Sequence, residues 1–359
     1  MRSRVGHEAG RPTGARLSAA FSPRDPDAIG VAVLGAGRMG LTHLRNLGAI
    51  ANARVVVVAD PDEGAALRGR DLARARRATT DPFEAIHDPD VEAVVIVTPT
   101  STHAALIEAA LRAGRAIFSE KPIAHDLAET GRIVDLWRDL GLPVQLGFMR
   151  RFDPGYERAK ALIDSGSLGR VEQFRALSRD TFPPPLEFLR SAGGSFLDMS
   201  IHDLDLARFL VGEVDEVHAW AAVLFDERFA QADDWDTSLA MLRFRNGALG
   251  VVETARHSGW GYDIRTEVAG AAAKVVIDGD RKTPATLLHD MSATNDRYES
   301  FPDRFEAAYR RELEVFLADL AAGRTPSPGP DEALETLRLA VACTISWREG
   351  RPVRVGDVR

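Results

Sequence analysis

The chain has 359 residues, 45% of them hydrophobic and 27% charged, with a formal net charge of -8. That length suits two domains with real cores better than one or three. No apolar run reaches the roughly 20 residues a membrane span requires, and the acidic balance offers no basic surface to phosphates. Membrane and nucleic acid are therefore set aside in favour of a small-molecule ligand.

Residues 1–28 contain arginines, Gly and Pro but no apolar segment of the length a secretory signal needs, and a disordered extension is expected there. From Gly30 onward short β-branched runs alternate with helical stretches. The strands are Val31–Leu34, Arg54–Ala59, Ala93–Val97, Arg115–Ser119 and Pro143–Gly147. The helices are Leu41–Leu47, Glu63–Ala75, His103–Arg112 and Leu127–Leu140. Such alternation predicts a doubly wound parallel sheet, a Rossmann domain over 29–149.

After Phe152 the rhythm changes. A helix Tyr156–Asp164 is followed by strand-like runs at Val171–Ser178, Val214–Val223, Thr237–Phe244, Gly247–Thr254, Arg265–Val268 and Lys274–Ile277. Strands without intervening helices predict a large, mostly antiparallel open sheet in an α+β domain over 150–359, so the chain as a whole is α/β. The helix Ser195–Leu210 interrupts the strands, and helices at about Asp303–Ala322 and Asp331–Glu349 close the chain. Cys343, the single cysteine, lies in the last helix within an apolar run, which suits a buried thiol in a reducing cytoplasm.

Three glycines at Gly-x-Gly-x-x-Gly spacing say little alone, but here Val31–Leu34 runs directly into Gly35-Ala36-Gly37-Arg38-Met39-Gly40 and a helix follows. Gly35 permits the tight turn, Gly37 allows close approach of a pyrophosphate and Gly40 lets the helix sit against the sheet. Asp60 ends the next strand, where a carboxylate binds ribose hydroxyls and repels a 2'-phosphate, so NAD is expected in preference to NADP. Thr98, Pro99, His103, Glu120 and Lys121, on or beside the same carboxyl edge, complete the expected cofactor contacts.

Basic residues are nearly all arginine, with lysine only at positions 121, 160, 274 and 282. Lys121, at the end of a strand in Glu120-Lys121-Pro122, is therefore notable, because lysine offers a compact charge and a removable proton that arginine does not. Asp198 and His202 stand four apart on one face of a helix, beside apolar positions at helical spacing, as a proton-transfer pair or a structural hydrogen bond. A lone histidine among carboxylates is a poor transition-metal site, so no metal is assigned.

The order Gly35-x-Gly37-x-x-Gly40, Glu120-Lys121-Pro122, Asp198-x-x-x-His202 resembles the Gfo/Idh/MocA oxidoreductases over nearly everything from Gly30 to the end. The segments 147–153, 194–203, 234–237 and 261–265 are similar to its inositol 2-dehydrogenase branch. The resemblance implies oxidation of a ring hydroxyl of a cyclic polyol with NAD, and a catalytic set of Lys121, Asp198 and His202. In that set His202 takes the hydroxyl proton, Asp198 orients and steadies the imidazolium, and Lys121 bonds the reacting oxygen. It leaves open a pyranose or modified sugar as substrate, and a non-catalytic dinucleotide sensor as function. Besides the catalytic three, Arg151, Asp180, Asp236, Tyr262 and Arg265 are candidate ring contacts, each equally readable as a structural polar contact. The loop 180–186 is expected to cover the site. Apolar groups alternating in 247–252 predict sheet-to-sheet pairing into a homodimer or homotetramer.

Overall fold

Strand order decides where a ligand can lie in an α/β chain, and it is set before Gly147. The computed structural model describes residues 21–25, 27–279 and 281–359. The first part runs β1 (Ile29–Leu34), α1 (Arg38–Leu47), β2 (Ala53–Ala59), α2 (Glu63–Ala73), β3 (Arg77–Thr79), α3 (Pro82–His87), β4 (Ala93–Ile96), α4 (Thr100–Arg112), β5 (Ala116–Glu120), α5 (Leu127–Leu140) and β6 (Val144–Gly147). Its strands pair in the order β3-β2-β1-β4-β5-β6, all parallel, which is the doubly wound arrangement with its crevice at the ends of β1 and β4. The sequence pattern misses β3 and α3. β3 is three half-buried residues with no apolar run, while α3 is announced only by Pro82 and by Asp81, whose side chain accepts the Phe83 N–H.

The second part begins with a 3-10 turn (Met149–Phe152), then α6 (Pro154–Asp164), β7 (Val171–Arg179) and α7 (Leu186–Ser191). A π-helical turn (Phe196–Ser200) leads into α8 (Ile201–Val211), β8 (Val214–Ala222), α9 (Arg228–Gln231), β9 (Thr237–Phe244), β10 (Leu249–Ala255), β11 (Asp263–Gly270) and β12 (Lys274–Ile277). A hairpin of β13 (Arg281–His289) and β14 (Ser292–Arg297) follows, and α10 (Phe301–Arg304), α11 (Glu306–Ala321), α12 (Pro330–Glu349) and β15 (Val353–Arg354) complete it. Seven strands form one sheet in the order β12-β11-β7-β10-β9-β8-β15. It is antiparallel throughout except at its centre, where β7 and β10 run parallel. The hairpin escapes the sequence pattern because nearly all its residues are exposed, so no alternation of burial marks it.

Alternation along β7 and β10 places Phe174, Ala176 and Ser178, with Val252 and Thr254, on the buried face that α8 packs against. The same face joins Leu204, Leu206, Ala207 and Leu210 of α8 and Leu337, Ala340 and Cys343 of α12 in one core. The domain boundary expected at 149/150 does not separate the cores. Leu313, Phe316, Leu317 and Leu320 of α11 pack with Val31, Val33, Val95 and Phe118 of the first sheet, the Phe118 and Phe316 rings lying 6.0 Å apart. The expected extension lies, for residues 1–20 and 26, outside the described residues. Its described end is not loose: Phe21 packs against both cores of the first sheet, and the Arg24 backbone N–H donates to Glu92 at 2.6 Å.

Two buried polar groupings lie where the two parts meet. Arg151, in the 3-10 turn after β6, donates to both oxygens of Asp205 in α8 at 2.8 and 2.6 Å and to Glu332 in α12 at 2.6 Å. Glu312 of α11 is brought beneath β5, where a carboxylate oxygen of Glu312, one of Glu120 and a ring nitrogen of His43 lie within 4.8 Å of one another. His43 Nε2 donates to Glu120 at 2.8 Å, whereas neither oxygen of Glu312 has a hydrogen-bond partner. Burial, and then the neighbouring Glu120, push the Glu312 carboxyl well above the usual carboxylate range, so it is held neutral.

Arg151→Met leaves Asp205 buried and unpaired, and urea unfolding is expected to show a loss of about 3–5 kcal/mol; a loss below about 1 kcal/mol would refute the pairing as a structural tie. The folded chain keeps on Glu312 a proton that the unfolded chain releases above its ordinary pKa, so this group's stabilising contribution is full below that pKa and declines as pH rises above it. Glu312→Gln is therefore expected to flatten the decline of Tm with rising pH, and parallel Tm–pH curves for parent and variant would exclude a neutral Glu312.

Candidate active site

At the end of β1 the backbone turns with Gly35 at φ +99°, where an added Cβ would stand 2.6 Å from the Val97 carbonyl oxygen. At Gly40 a Cβ would meet the Gly35 carbonyl at 2.1 Å, so both glycines are required by close packing. Gly37 differs: a Cβ there meets nothing within 4 Å. It opens onto free space before the N-terminal turn of α1, whose start has no side-chain cap, and a helix start left open in this way suits a pyrophosphate. Beside it Asp60 accepts the Ala36 N–H at 2.7 Å and the Asp62 N–H at 2.9 Å, which fixes its carboxylate at the end of β2 with lone pairs to spare for ribose hydroxyls. These residues fit a dinucleotide.

The other expected cofactor residues line the same edge in different ways. Arg38 lies over the Phe301 ring at 5.1 Å, and Met39 packs against the core of the second part. Thr98 accepts from the Thr102 hydroxyl at 2.7 Å, and Pro99 occupies the N-cap of α4. His103 is a staple, with its two ring nitrogens each 2.8 Å from a carbonyl oxygen, Pro122 on one side and Thr98 on the other. It joins the loop after β4 to the one that carries Lys121. Glu120 faces His43.

Lys121 leaves the end of β5 and donates from Nζ to the Asp198 carbonyl at 2.7 Å, with the Asp198 carboxylate at 3.5 Å. The expected pairing of Asp198 with His202 is not formed. Asp198 sits in the π-helical turn, whose wider winding carries residue i+4 out of line, so the two side chains do not stack as they would in an α-helix. Asp198 Oδ2 instead accepts from Arg256 at 2.6 Å, and His202 Nδ1 is buried without a partner. Burial pushes the Asp198 carboxyl up, but Arg256 and then Lys121 outweigh it and hold it at about 2. Burial, then Lys121, Arg150 and Arg256, hold the His202 imidazole well below its ordinary value, so it is a neutral base at neutral pH.

Of the candidate ring contacts, the structure brings Asp180 and Tyr262 to this cluster and leaves three outside it. Asp180 follows β7 and receives Arg256 at 3.3 Å. The Tyr262 phenol is buried beside Arg150, and burial raises its pKa. Arg151 is engaged by Asp205 and Glu332 as described. Asp236 accepts the Leu224, Phe225 and Asp226 N–H groups and the Thr237 hydroxyl, which fills its lone pairs and makes it the anchor of that loop. Arg265 forks onto Asp263.

Three residues at the cluster, two arginines and a histidine, escape the sequence reading. Arg150 donates to Asp203 at 2.6 Å and to the Ser178 hydroxyl at 3.2 Å, His125 lies against Gly193, and Arg256 leaves the end of β10. A signal for Arg256 existed: it continues the inward alternation Val252, Thr254, a face where an arginine has no reason to be unless it is paired.

Two family models cover the chain: an oxidoreductase family's NAD-binding Rossmann fold matches residues 29–148, and the same family's C-terminal alpha/beta domain matches 160–355. The chain is 36% identical over 330 residues to a myo-inositol 2-dehydrogenase of Thermotoga maritima, covering 91% of this chain and 99% of that one. It is 39% identical over 333 residues to an NAD(+)-dependent scyllo-inositol 2-dehydrogenase of Bacillus subtilis, covering 91% and 96%. Among solved structures, scyllo-inositol dehydrogenase from Lactobacillus casei with bound NAD(H) and scyllo-inositol is 28% identical, superposes with a TM-score of 0.86 and covers 92% of this chain and 99% of that one. With both domains matched, the chain belongs to the Gfo/Idh/MocA oxidoreductase family.

Proposed function

We propose that the protein is an NAD-dependent inositol 2-dehydrogenase, which oxidises one ring hydroxyl of myo- or scyllo-inositol to the ketone. The observation that carries this reading is the meeting, at the carboxyl end of β5, of Lys121 and Asp198 with a neutral imidazole, His202. The relatives named above act on inositols, and they align over nearly the whole chain.

A bound nicotinamide supplies the hydride acceptor. Residues Gly35–Gly40 and Asp60 hold the other end of that cofactor, with Thr98, Pro99 and Glu120 lining the edge between. Asp60, followed by Pro61-Asp62-Glu63 with no arginine, opposes a 2'-phosphate and favours NAD over NADP. Lys121 donates from Nζ to the reacting oxygen and stabilises the negative charge that develops there. His202 accepts the hydroxyl proton at a free imidazole nitrogen. Asp198 acts on the Lys121 side, fixing the ammonium and accepting from the ring, and Asp180 and Tyr262 supply further polar contacts to the polyol.

No helix among the described residues is long and apolar enough to cross a membrane. We place the enzyme in the cytoplasm because its single cysteine, Cys343, is a buried free thiol that suits a reducing compartment. On the outward face of the second sheet Trp220, Leu239, Met241 and Leu249 are exposed on adjacent strands. An apolar patch of that kind needs a cover, and a second copy of the same face supplies it, giving a dimer or tetramer.

Mixing the protein with NAD and either inositol is expected to produce NADH absorbance, with little rate on NADP. Lys121→Ala and His202→Ala are each expected to lower kcat at least about a hundredfold while binding of NAD is retained; parental turnover in both would sink these roles. Because the reaction needs unprotonated His202, whose pKa lies below the ordinary 6.5, the acid limb of kcat/KM is expected below pH 6.5. Light scattering at micromolar concentration is expected to give a multiple of 39.1 kDa, and a monomer would overturn the sheet-to-sheet pairing.

A further inference from the structure

Three arginines lie buried around α8, and their ion pairs are of two kinds. Arg150 and Asp203 are 4% and 0% exposed, and Arg151 and Asp205 are 7% and 2% exposed, so in both pairs each partner is shut away from the cleft. Arg256 differs. Its side chain is 6% exposed, but the two carboxylates it holds, Asp180 and Asp198, are 23% and 22% exposed. The guanidinium stands behind and the carboxylates stand in front.

The parallel pairing of β7 and β10 produces this arrangement. Ala255 pairs with Arg179, so the residues that follow, Arg256 and Asp180, leave two adjacent strand ends in the same direction, and the Asp180 N–H is tied to the Ala255 carbonyl at 3.0 Å. Arg256 Nη1 then reaches Asp180 Oδ2 at 3.3 Å, Nη2 reaches Asp198 Oδ2 at 2.6 Å, and Nε reaches the Ser195 hydroxyl at 3.3 Å. Ser195 is itself held by Asp234, through its N–H at 2.9 Å and its hydroxyl at 3.2 Å. Each carboxylate is bridged through its Oδ2. Among the described residues Arg256 is the sole hydrogen-bonding partner of the Asp180 carboxylate, and Asp198 Oδ1 faces Lys121 at 3.5 Å.

We propose that Arg256 is a positioning residue for substrate: it clamps Asp180 and Asp198 side by side as a matched pair of acceptors for neighbouring ring hydroxyls, and draws Asp198 away from His202. This rests on the polyol-dehydrogenase reading. Two carboxylates this close would repel each other and splay apart, and a planar guanidinium between them offsets one of the two charges and sets the distance between them. The pair presents two acceptors to one face of a ring whose hydroxyls are donors. Drawn toward Arg256, Asp198 leaves the imidazole of His202 without a carboxylate partner, which keeps it neutral. The charges that act on His202 are Lys121 from the end of β5, Arg150 from the 3-10 turn and Arg256 from the end of β10, while the carboxylates near them are taken up elsewhere, Asp203 by Arg150, Asp180 by Arg256, and Asp198 by Arg256 and Lys121. Removing Arg256 takes away one of three cations, so the His202 pKa must rise.

The test compares parent, Arg256→Met and Arg256→Lys. In Arg256→Met, KM for inositol is expected to rise at least about tenfold, as for loss of a residue that orients a ligand-binding group, and the acid limb of kcat/KM is expected to move to higher pH. Arg256→Lys keeps the charge but not the fork, so the acid limb is expected to return toward the parent position while KM stays raised. NMR titration of the His202 imidazole in the protein without substrate should follow the same order, parent and lysine variant low, methionine variant high. Parental KM and parental His202 titration in Arg256→Met would overturn the proposal, as would a uniform loss of activity and Tm with no shift in either. If the methionine variant does not fold, an unchanged KM in Arg256→Lys overturns it. Failure of the parent to oxidise any inositol would instead strike the functional reading, and the His202 titration would still decide the role of Arg256.

Discussion

A guanidinium removed from water has to meet a carboxylate, and most of the cleft follows from that requirement. The acceptors Asp198, Asp203 and Asp205 all come from one stretch, the π turn and the start of α8. The donors come from elsewhere: Arg150 and Arg151 from the turn after β6, Arg256 from the end of β10. The three pairs thus hold α8 against both sheets at once. His202, on the first turn of α8, inherits its position relative to Lys121 from these pairs rather than from any hydrogen bond of its own. That explains how an imidazole without a partner at Nδ1 can still be well placed.

The parts of this arrangement that the amino-acid pattern reveals are those encoded by neighbouring residues. The glycine loop, the acid at the end of the second apolar run and Glu120-Lys121-Pro122 are contiguous with strands that are easily recognised, and each lies at the edge where the pattern puts it. Asp198 and His202 are likewise legible as a pair, but not their relation. Four residues apart means one face of an α-helix, whereas in the folded chain the turn is wound as a π-helix. Arg256 and Asp180 are 76 residues apart, and nothing in an apparently antiparallel run of strands signals that β7 and β10 are parallel neighbours. Long-range pairing with one reversed direction is the information a single sequence conceals. Arg151 and Asp236 were misleading for a related reason: a polar residue beside a site motif looks the same whether it faces a ligand or an internal carboxylate or loop.

Two neighbouring strands of the second sheet reach the cluster with the same device, ends that run out of apolar residues. On the inward face of β7 the order is Phe174, Ala176, Ser178 and then Asp180; on β10 it is Val252, Thr254 and then Arg256. Hydrophobic burial fixes the beginning of each strand, and hydroxyls mark the transition, Ser238 and Thr254 sharing a hydrogen bond at 2.6 Å beneath the charged cluster. Charge is confined to the last position, where it is close enough to water to be solvated and close enough to the core to be rigid.

The packing of α11 on the first sheet has a consequence for how the chain is made. Val31, Val33, Val95 and Phe118 are complete by the time residue 118 is synthesised, but the helix that helps to cover them, with Leu313, Phe316, Leu317 and Leu320, is about two hundred residues further on. A chain emerging in order from the ribosome must carry that face partly bare until its last quarter appears. The nucleotide-binding half is thus a module in sequence but not in assembly, and its final closure waits for the end of translation.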